Sequence, residues 1–288
     1  MSDYRIITDS ACDIAPETLA QWNVGCVDIT FRFDGSDREY TNRDLPVHEF
    51  YERMRKGECA RTAAANIDTF TTAFEQELQQ GHDVLCLGFS SGLSTTCNAA
   101  QIAAKDLAER YPERRIVVVD TLCASAGQGL MVYLTAQQRD QGADLDTAAA
   151  YAEQIRPQLC HWFTVDDLVY LKRGGRVSAA TALAGTILGI KPVLHVDDEG
   201  HLINMQKARG RKMSIRAVAD QYDALAITPK EGTVFISHGD CPEDAAALDD
   251  LLQERHGLRA RLITNIGPVI GAHSGPGTLA LFFLGQHR

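Results

Sequence analysis

Asp83-Val84-Leu85-Cys86-Leu87-Gly88-Phe89 followed by Ser90-Ser91-Gly92-Leu93-Ser94-Thr95-Thr96 is an apolar run of strand length that ends in a cluster of hydroxyls. The next stretch, 97–110, is Ala-rich with helical spacing. The hydroxyls therefore fall at a strand-to-helix turn, where unpaired N–H groups and a partial positive charge attract an anion. Ser94 or Thr95 can cap that helix, and the spare hydroxyls can donate to a small oxyanion such as a carboxylate. The same residues are also compatible with a plain helix cap that holds no ligand.

The pattern extends outward in both directions. Residues 4–8 read as a short strand ending in Thr8-Asp9-Ser10, and 115–120 as a β-branched buried strand ending in Asp120-Thr121. Residues 15–22 suit a helix, with Asp13 as its cap and Pro16 in its first turn. Residues 27–33 alternate at period two, as one half-buried strand does. Residues 47–56 look helical, 61–66 read as a small-residue linker, and Asn66 starts a helix running to about 80. Helices over 125–141 and 145–155 follow. Alternating strand and helix implies a mostly parallel sheet covered by helices on both faces. Ligands of such sheets bind beyond the carboxyl ends of the strands, so the three polar strand ends are expected to meet at one site.

The second half reads differently. Strands are expected over 160–165, 189–196 and 201–206, the last two joined by the Asp197-Asp198-Glu199-Gly200 turn. Further strands are expected over 233–238, 260–264 and 278–284. Helices are expected over 167–171, 179–187, 211–225 and 242–256, and residues 267–277 read as a Gly/Pro loop. The fold class is therefore α/β in two domains: an N-terminal α/β domain over 1–157 and a C-terminal α+β domain with an antiparallel hairpin over 158–288.

The 288 residues carry a formal net charge of -10. That argues against nucleic acid or an anionic membrane as the main partner, since both reward a basic face. The eight cysteines form no CxxC pair and no zinc-finger spacing with histidine, which suits reduced thiols in a cytoplasmic protein. No signal peptide and no run of about 18 apolar residues is evident. Gly-x-Gly-x-x-Gly, the Walker lysine motif, His-Glu-x-x-His and Gly-x-Ser-x-Gly are all absent, so nicotinamide, ATP and a hydrolytic zinc lack support, and no cofactor is expected.

Three clusters carry chemistry. Lys172, Arg173 and Arg176 surround Gly174-Gly175, where backbone N–H groups can approach a ligand and arginine forks onto phosphate or carboxylate oxygens. His273, between glycines and prolines, can orient a hydroxyl or donate to a carboxylate, or simply bond to backbone. Lys207, Arg209, Arg211 and Lys212 form a basic group that is either a docking face for an acidic partner or a solvated helix start.

These stretches together resemble the DegV family of bacterial fatty-acid-binding proteins. The matching motifs, in the family's order, are Ile7-Thr8-Asp9-Ser10 with Asp13, Arg61-Thr62, Ser90 to Thr96, Asp120-Thr121, Tyr170-Leu171-Lys172-Arg173-Gly174-Gly175-Arg176, Leu188-Gly189-Ile190-Lys191-Pro192, and Gly267 to Gly277. The resemblance implies a carrier, not an enzyme, that buries the tail of one long-chain fatty acid. Its carboxylate would meet Thr62, Ser94 and His273, with Ser91, Thr95 and Arg173 as further contacts. Arg176 would meet an acyl phosphate, and Arg209 or Arg211 would help dock a fatty-acid kinase subunit. Where the family often has Ser-Gln-Pro-Ser, this chain has Ala63-Ala64-Ala65-Asn66, which removes hydroxyls near the head group; Thr95 stands where glycine is common. Two other readings stay open on the residues: a serine hydrolase using Ser94 and His273, and a binder of a phosphate-bearing anion using Arg173 and Arg176.

Overall fold

The computed structural model describes residues 3–178 and 189–288. The helix expected over 179–187 and Leu188 of the Leu-Gly-Ile-Lys-Pro motif lie outside the described residues.

Strands β1 (Tyr4–Asp9) and β2 (Val24–Val27) pair in parallel, and β3 (Thr30–Phe33) and β4 (Ala60–Ala63) form a separate antiparallel ribbon. With β5 (Asp83–Gly88) and β6 (Ile116–Asp120), the first sheet has the order β2-β1-β5-β6, parallel throughout. Period-two alternation sends its side chains to two layers. Ile7, Val84 and Cys86 pack with α3 (Ile67–Gln79) and α4 (Thr96–Arg110). Ile6, Leu85 and Leu87 pack with α5 (Ala126–Asp140) and α6 (Leu145–Ile155). This is the helix-covered parallel sheet that the sequence implied.

The second sheet contains β7 (Leu159–Thr164), β8 (Ile190–Val196), β9 (Leu202–Arg209), β10 (Phe235–His238), β11 (Leu262–Asn265) and β12 (Leu279–Leu284), in the order β11-β10-β12-β7-β8-β9. Its pairs are antiparallel except β10 with β11. Trp162, Leu281 and Phe283 face helices α8 (Arg211–Leu225) and α9 (Pro242–His256). Phe163, Phe282 and Leu194 face the opposite way and join the same buried cluster as Leu130 and Met131 of α5. Helix α5 is thus a shared layer between the sheets.

Several local expectations are corrected. The strand expected over 27–33 is two strands. After Val27 the chain leaves the first sheet, with Ile29 N–H donating to Ser10 Oγ at 2.9 Å, and β3 then pairs with β4. The first half of the linker expected over 61–66 belongs to β4; its Ala and Thr residues have no strong strand signal, and pairing with the alternating Phe31 and Phe33 decides it. The Gly/Pro loop at 267–277 contains helix α10 (Pro268–Ser274), with proline at its first position. Its Gly271 is there for packing, since a Cβ would lie 2.5 Å from Tyr51 Oη. Asp13 does not cap α1 (Pro16–Gln21), which has no side-chain cap. It is buried in the left-handed region, accepting from Ser125 Oγ at 2.5 Å and from Gly267 N–H at 2.9 Å. Thr95 stands at the N-cap of α4 without a side-chain bond, and Ser94 Oγ accepts from Thr96 N–H at 3.2 Å.

Candidate functional site

The three polar strand ends do converge, and two of them brace the third. Asp9 accepts from Phe89 N–H at 2.8 Å, Asp120 accepts from Ser91 N–H at 3.3 Å, and Thr121 Oγ1 donates to Gly88 O at 2.7 Å. Burial pushes the Asp9 carboxyl up to about 6, against the pull of the Phe89 and Ala11 N–H donors. The 89–95 turn is thereby fixed from beneath. From above it is pressed by the β8–β9 hairpin: Ser90 Oγ donates to Gly200 O at 3.0 Å, and a Cβ on Gly92 would lie 2.7 Å from Glu199 O. Only glycine admits that approach.

Two further elements meet this turn. Strand β4 carries Thr62, and the last turn of α10 carries His273; Thr62 Oγ1 and His273 Nε2 are 2.8 Å apart, a hydrogen bond. The turn after α7 (Val169–Arg173) closes on the same imidazole. A Cβ on Gly174 would lie 2.2 Å from His273 Nδ1, so the first glycine of the Gly-Gly pair is where the ring fits. His273 Nδ1 itself has no hydrogen-bond partner among the described residues. Burial, with the neighbouring Arg176 cation adding to it, brings the imidazole down to about 4. The ring is neutral at physiological pH. Arg176 reaches across to donate through Nε and Nη2 to Leu93 O at 3.2 and 3.0 Å. Among the described residues no carboxylate pairs with it, so a half-buried positive charge stands beside neutral donors. That combination suits an anion.

Behind this mouth lies a cavity of about 400 Å³, within the usual range for small-molecule sites. Thr62, Ser91, Ser94, Thr95, Arg176 and His273 all line it. Its body is apolar: Ile29, Phe89, Leu93, Phe163, Val196, Ile266, Val269, Ala280 and Phe282 contribute. Register gives the direction. Ala280 is opposite Phe163, and Phe282 opposite His161, so Thr278, Ala280 and Phe282 follow one another along one face of β12 away from α10. The arrangement is a largely apolar space whose lining gathers hydroxyls, an imidazole and a guanidinium.

Other expected contacts are placed elsewhere. Arg173 is exposed, donating to Cys59 Sγ at 2.9 Å and lying over the Tyr170 ring, and it does not line the cavity. Arg211 is engaged with Asp244 at 2.8 Å and Asp166 at 3.8 Å, while Arg209 is exposed on β9 with no carboxylate within ion-pair distance among the described residues. Ser125, His161, Ser274 and Thr278 also line the cavity without having been expected. The alternation along 161–163 and 278–282 was a usable signal for the sheet face, but not for what that face encloses. Among the described residues no cluster of ligating side chains holds a metal, and no helix is long and apolar enough to cross a membrane.

Comparison with known proteins agrees with this geometry. Residues 3–286 match the family model described as "Uncharacterised protein, DegV family". A DegV domain-containing protein of Clostridium perfringens is 40% identical over 289 residues, covering 100% of this chain and 99% of the relative. The fold superposes on a solved DegV family protein from Thermus thermophilus, described for its fatty acid binding, with TM-score 0.88 and 28% identity over 98% of this chain and 99% of that one. DegV of Bacillus subtilis, described as a fatty acid binding protein, gives TM-score 0.86 and 25% identity over 99% of this chain and 100% of its own. The chain belongs to the DegV family.

Proposed function

We propose that this DegV-family chain is a carrier that binds one long-chain fatty acid and presents its carboxyl group for phosphorylation by a separate kinase. The observation that carries the proposal is the cavity itself, largely apolar in its lining and bearing Thr62, Ser94, His273 and Arg176 together. The relatives described as fatty-acid binding support the same ligand class. Desolvating a carboxylate is costly unless donors meet it. The hydroxyls of Thr62 and Ser94 supply neutral donors, His273 Nε2–H donates to Thr62 Oγ1 and so turns that hydroxyl's proton outward, and the Arg176 cation gives the site its sign. The tail supplies the affinity: some fourteen methylenes at about 0.8 kcal/mol each give roughly 11 kcal/mol before ordering costs. A ligand held that firmly survives purification. Ala64, in the segment where family members often carry hydroxyls, adds an apolar wall at the mouth, which leaves Thr62 as the donor on that side.

In this reading Arg176 steadies the acyl phosphate once formed, and exposed Arg209 is the docking contact for the kinase subunit, Arg211 being engaged with carboxylates. The hydrolase reading has less support. Ser94 Oγ pairs with Thr96 Oγ1 at 2.9 Å and His273 with Thr62, so the nucleophile–base hydrogen bond is not made. An imidazole brought down to about 4 is also a weak base at neutral pH.

The test is mass spectrometry of the purified protein, native and then denatured, with organic extraction of the released ligand. A fatty acid near one per chain is expected, with loss of that complement in Ser94→Ala. A phosphorylated ligand, or an empty protein that refuses added fatty acids, overturns the proposal.

A further inference from the structure

The turn that carries Ser94 is held by two neighbouring turns, and one side chain holds both of those. Arg288 is 7% exposed, and its guanidinium reaches four acceptors in three separate segments. Nε donates to Leu159 O at 3.1 Å, at the start of β7. Nη1 donates to Leu122 O at 2.7 Å and to Asp197 O at 3.2 Å, and Nη2 to Cys123 Sγ at 3.3 Å. Leu122 and Cys123 belong to the turn after β6, and Asp197 opens the β8–β9 hairpin turn. The main chain of Arg288 is fixed as well, its N–H donating to Pro157 O at 2.7 Å. A buried guanidinium is tolerated only where acceptors meet it, so the segments that supply them are tied to one another. Both turns bear on the hydroxyl turn. Cys123 O accepts from Ser90 N–H at 3.0 Å, and Gly200 O accepts from Ser90 Oγ at 3.0 Å. Ser90 O in turn accepts from the N–H groups of Leu93 and Ser94, each at 3.1 Å. The two turns also touch: a Cβ on Gly200 would lie 3.3 Å from Leu122 Cα. Leu122 has φ 52°, a left-handed conformation that leucine keeps only where its surroundings impose it. The bond from Arg288 Nη1 to its carbonyl is part of that imposition.

We infer that Arg288 is a positioning residue for carboxylate binding: its guanidinium sets the Leu122–Cys123 turn and the β8–β9 hairpin against each other, and through Ser90 this fixes where Ser94 stands at the cavity. The inference rests on the fatty-acid reading of that cavity and adds a residue that touches no ligand, since Arg288 does not line the cavity. Its action depends on shape as well as charge. A planar fork serves three segments at once, whereas a lysine ammonium on a flexible stem is a single point. Loss of the fork leaves the tail space lined by the same side chains and removes the constraint on the hydroxyl turn. The ligand's carboxylate therefore feels the change and its hydrocarbon does not.

The experiment compares octadecanoic acid with octadecan-1-ol, which keeps the tail and lacks the carboxylate, in displacement binding to wild type, Arg288→Ala and Arg288→Lys. The acid is expected to bind about tenfold more weakly to both variants, and the alcohol to stay within about twofold of wild type. In a Ser94→Ala background, Arg288→Lys is expected to weaken the acid no further, since the residue through which Arg288 acts is gone. Equal losses for acid and alcohol, a loss undiminished in the Ser94→Ala background, or full affinity in Arg288→Lys overturns the inference and leaves the carrier reading intact. Failure of octadecanoic acid to bind wild type sinks both. Where Arg288→Ala does not fold, Arg288→Lys, which keeps the buried charge and the stem, gives the same comparison. Amide exchange in the ligand-free protein is a separate readout. The N–H groups of Ser90, Leu93 and Ser94 are expected to exchange faster in Arg288→Lys than in wild type, while those of α8 keep their rates. Unchanged exchange at the turn, or equal acceleration in both places, refutes the positioning role.

Discussion

Replacing Gly174 by alanine puts a methyl group into the head-group site from behind. The backbone tolerates it, since Gly174 has φ -72° and ψ -10°, ordinary helical values. The obstacle is steric: the new Cβ would lie 2.2 Å from His273 Nδ1, 3.1 Å from Cγ and 3.2 Å from Cε1. The ring has to move by roughly 1 Å to restore ordinary contact. A displacement of that size takes the 2.8 Å Thr62–His273 bond outside hydrogen-bond geometry. Overpacking costs about 1–3 kcal/mol of stability, partly offset by up to about 1 kcal/mol from restricting the unfolded chain. The larger effect is on binding. Losing one donor to a charged carboxylate is worth about 1.5–3 kcal/mol, a ten- to hundredfold weaker fatty-acid affinity. The control is Gly175→Ala. Gly175 has φ +74° and nothing within 4 Å of a built Cβ, so that variant is expected to lose about 1 kcal/mol of stability through backbone strain and to keep its affinity. Fluorescent fatty-acid displacement and urea melts on both variants separate the effects. Unchanged affinity in Gly174→Ala, or equal losses of affinity in the two, refutes the account of how His273 is held.

Other expectations follow from the same geometry. Burial pushes the Asp13 carboxyl up to about 8 from 3.8, so the native state holds a proton that the unfolded chain releases. Its stabilising contribution is full below pH 4 and is lost as pH rises towards 8, on the order of 4 kcal/mol between pH 5 and 8. Asp13→Asn, which reproduces the protonated carboxyl towards Ser125 and Gly267, is expected to match wild type in urea at pH 5 and exceed it at pH 8; a constant difference at both pH values contradicts this. Ala280→Phe intrudes on the tail path opposite Phe163 and should shift the extracted fatty acids to shorter chains, at about 0.8 kcal/mol per displaced methylene. An unaltered chain-length profile removes the tail from this face. Arg176→Met takes away one of the two causes holding His273 down, so its NMR-titrated pKa should rise partway from about 4 towards its ordinary value of 6.5; no rise means that Arg176 does not act on the ring.

The regular elements were legible where local pattern and tertiary role agree. Helices Leu145–Ile155, Arg211–Leu225 and Pro242–His256 stand at the bounds expected from their spacing, because an amphipathic helix reports its buried face through its own period. The strand ending at Gly88 and its hydroxyl turn were equally readable. Strand β4 was not, because Ala60–Ala63 is a strand only by virtue of Phe31 and Phe33 across from it. Helix α10 was hidden by the glycines and prolines around it, of which Gly271 is required by the packing on Tyr51.

By itself the sequence determined a parallel sheet wrapped in helices, a hairpin-bearing second half, an acidic chain, and the set of hydroxyls, imidazole and arginines that mark an anion site. Those are properties of residue type, spacing and short-range period. Tertiary structure decided which of them meet. It brought Thr62 and His273, 211 positions apart, within 2.8 Å, set Arg176 at the cavity mouth and Arg173 outside it, and turned one face of β12 into the wall of a 400 Å³ space. The physical reason is that a cavity belongs to no segment: it is the volume left between strands and turns from both halves of the chain, and no local pattern records a gap between distant surfaces.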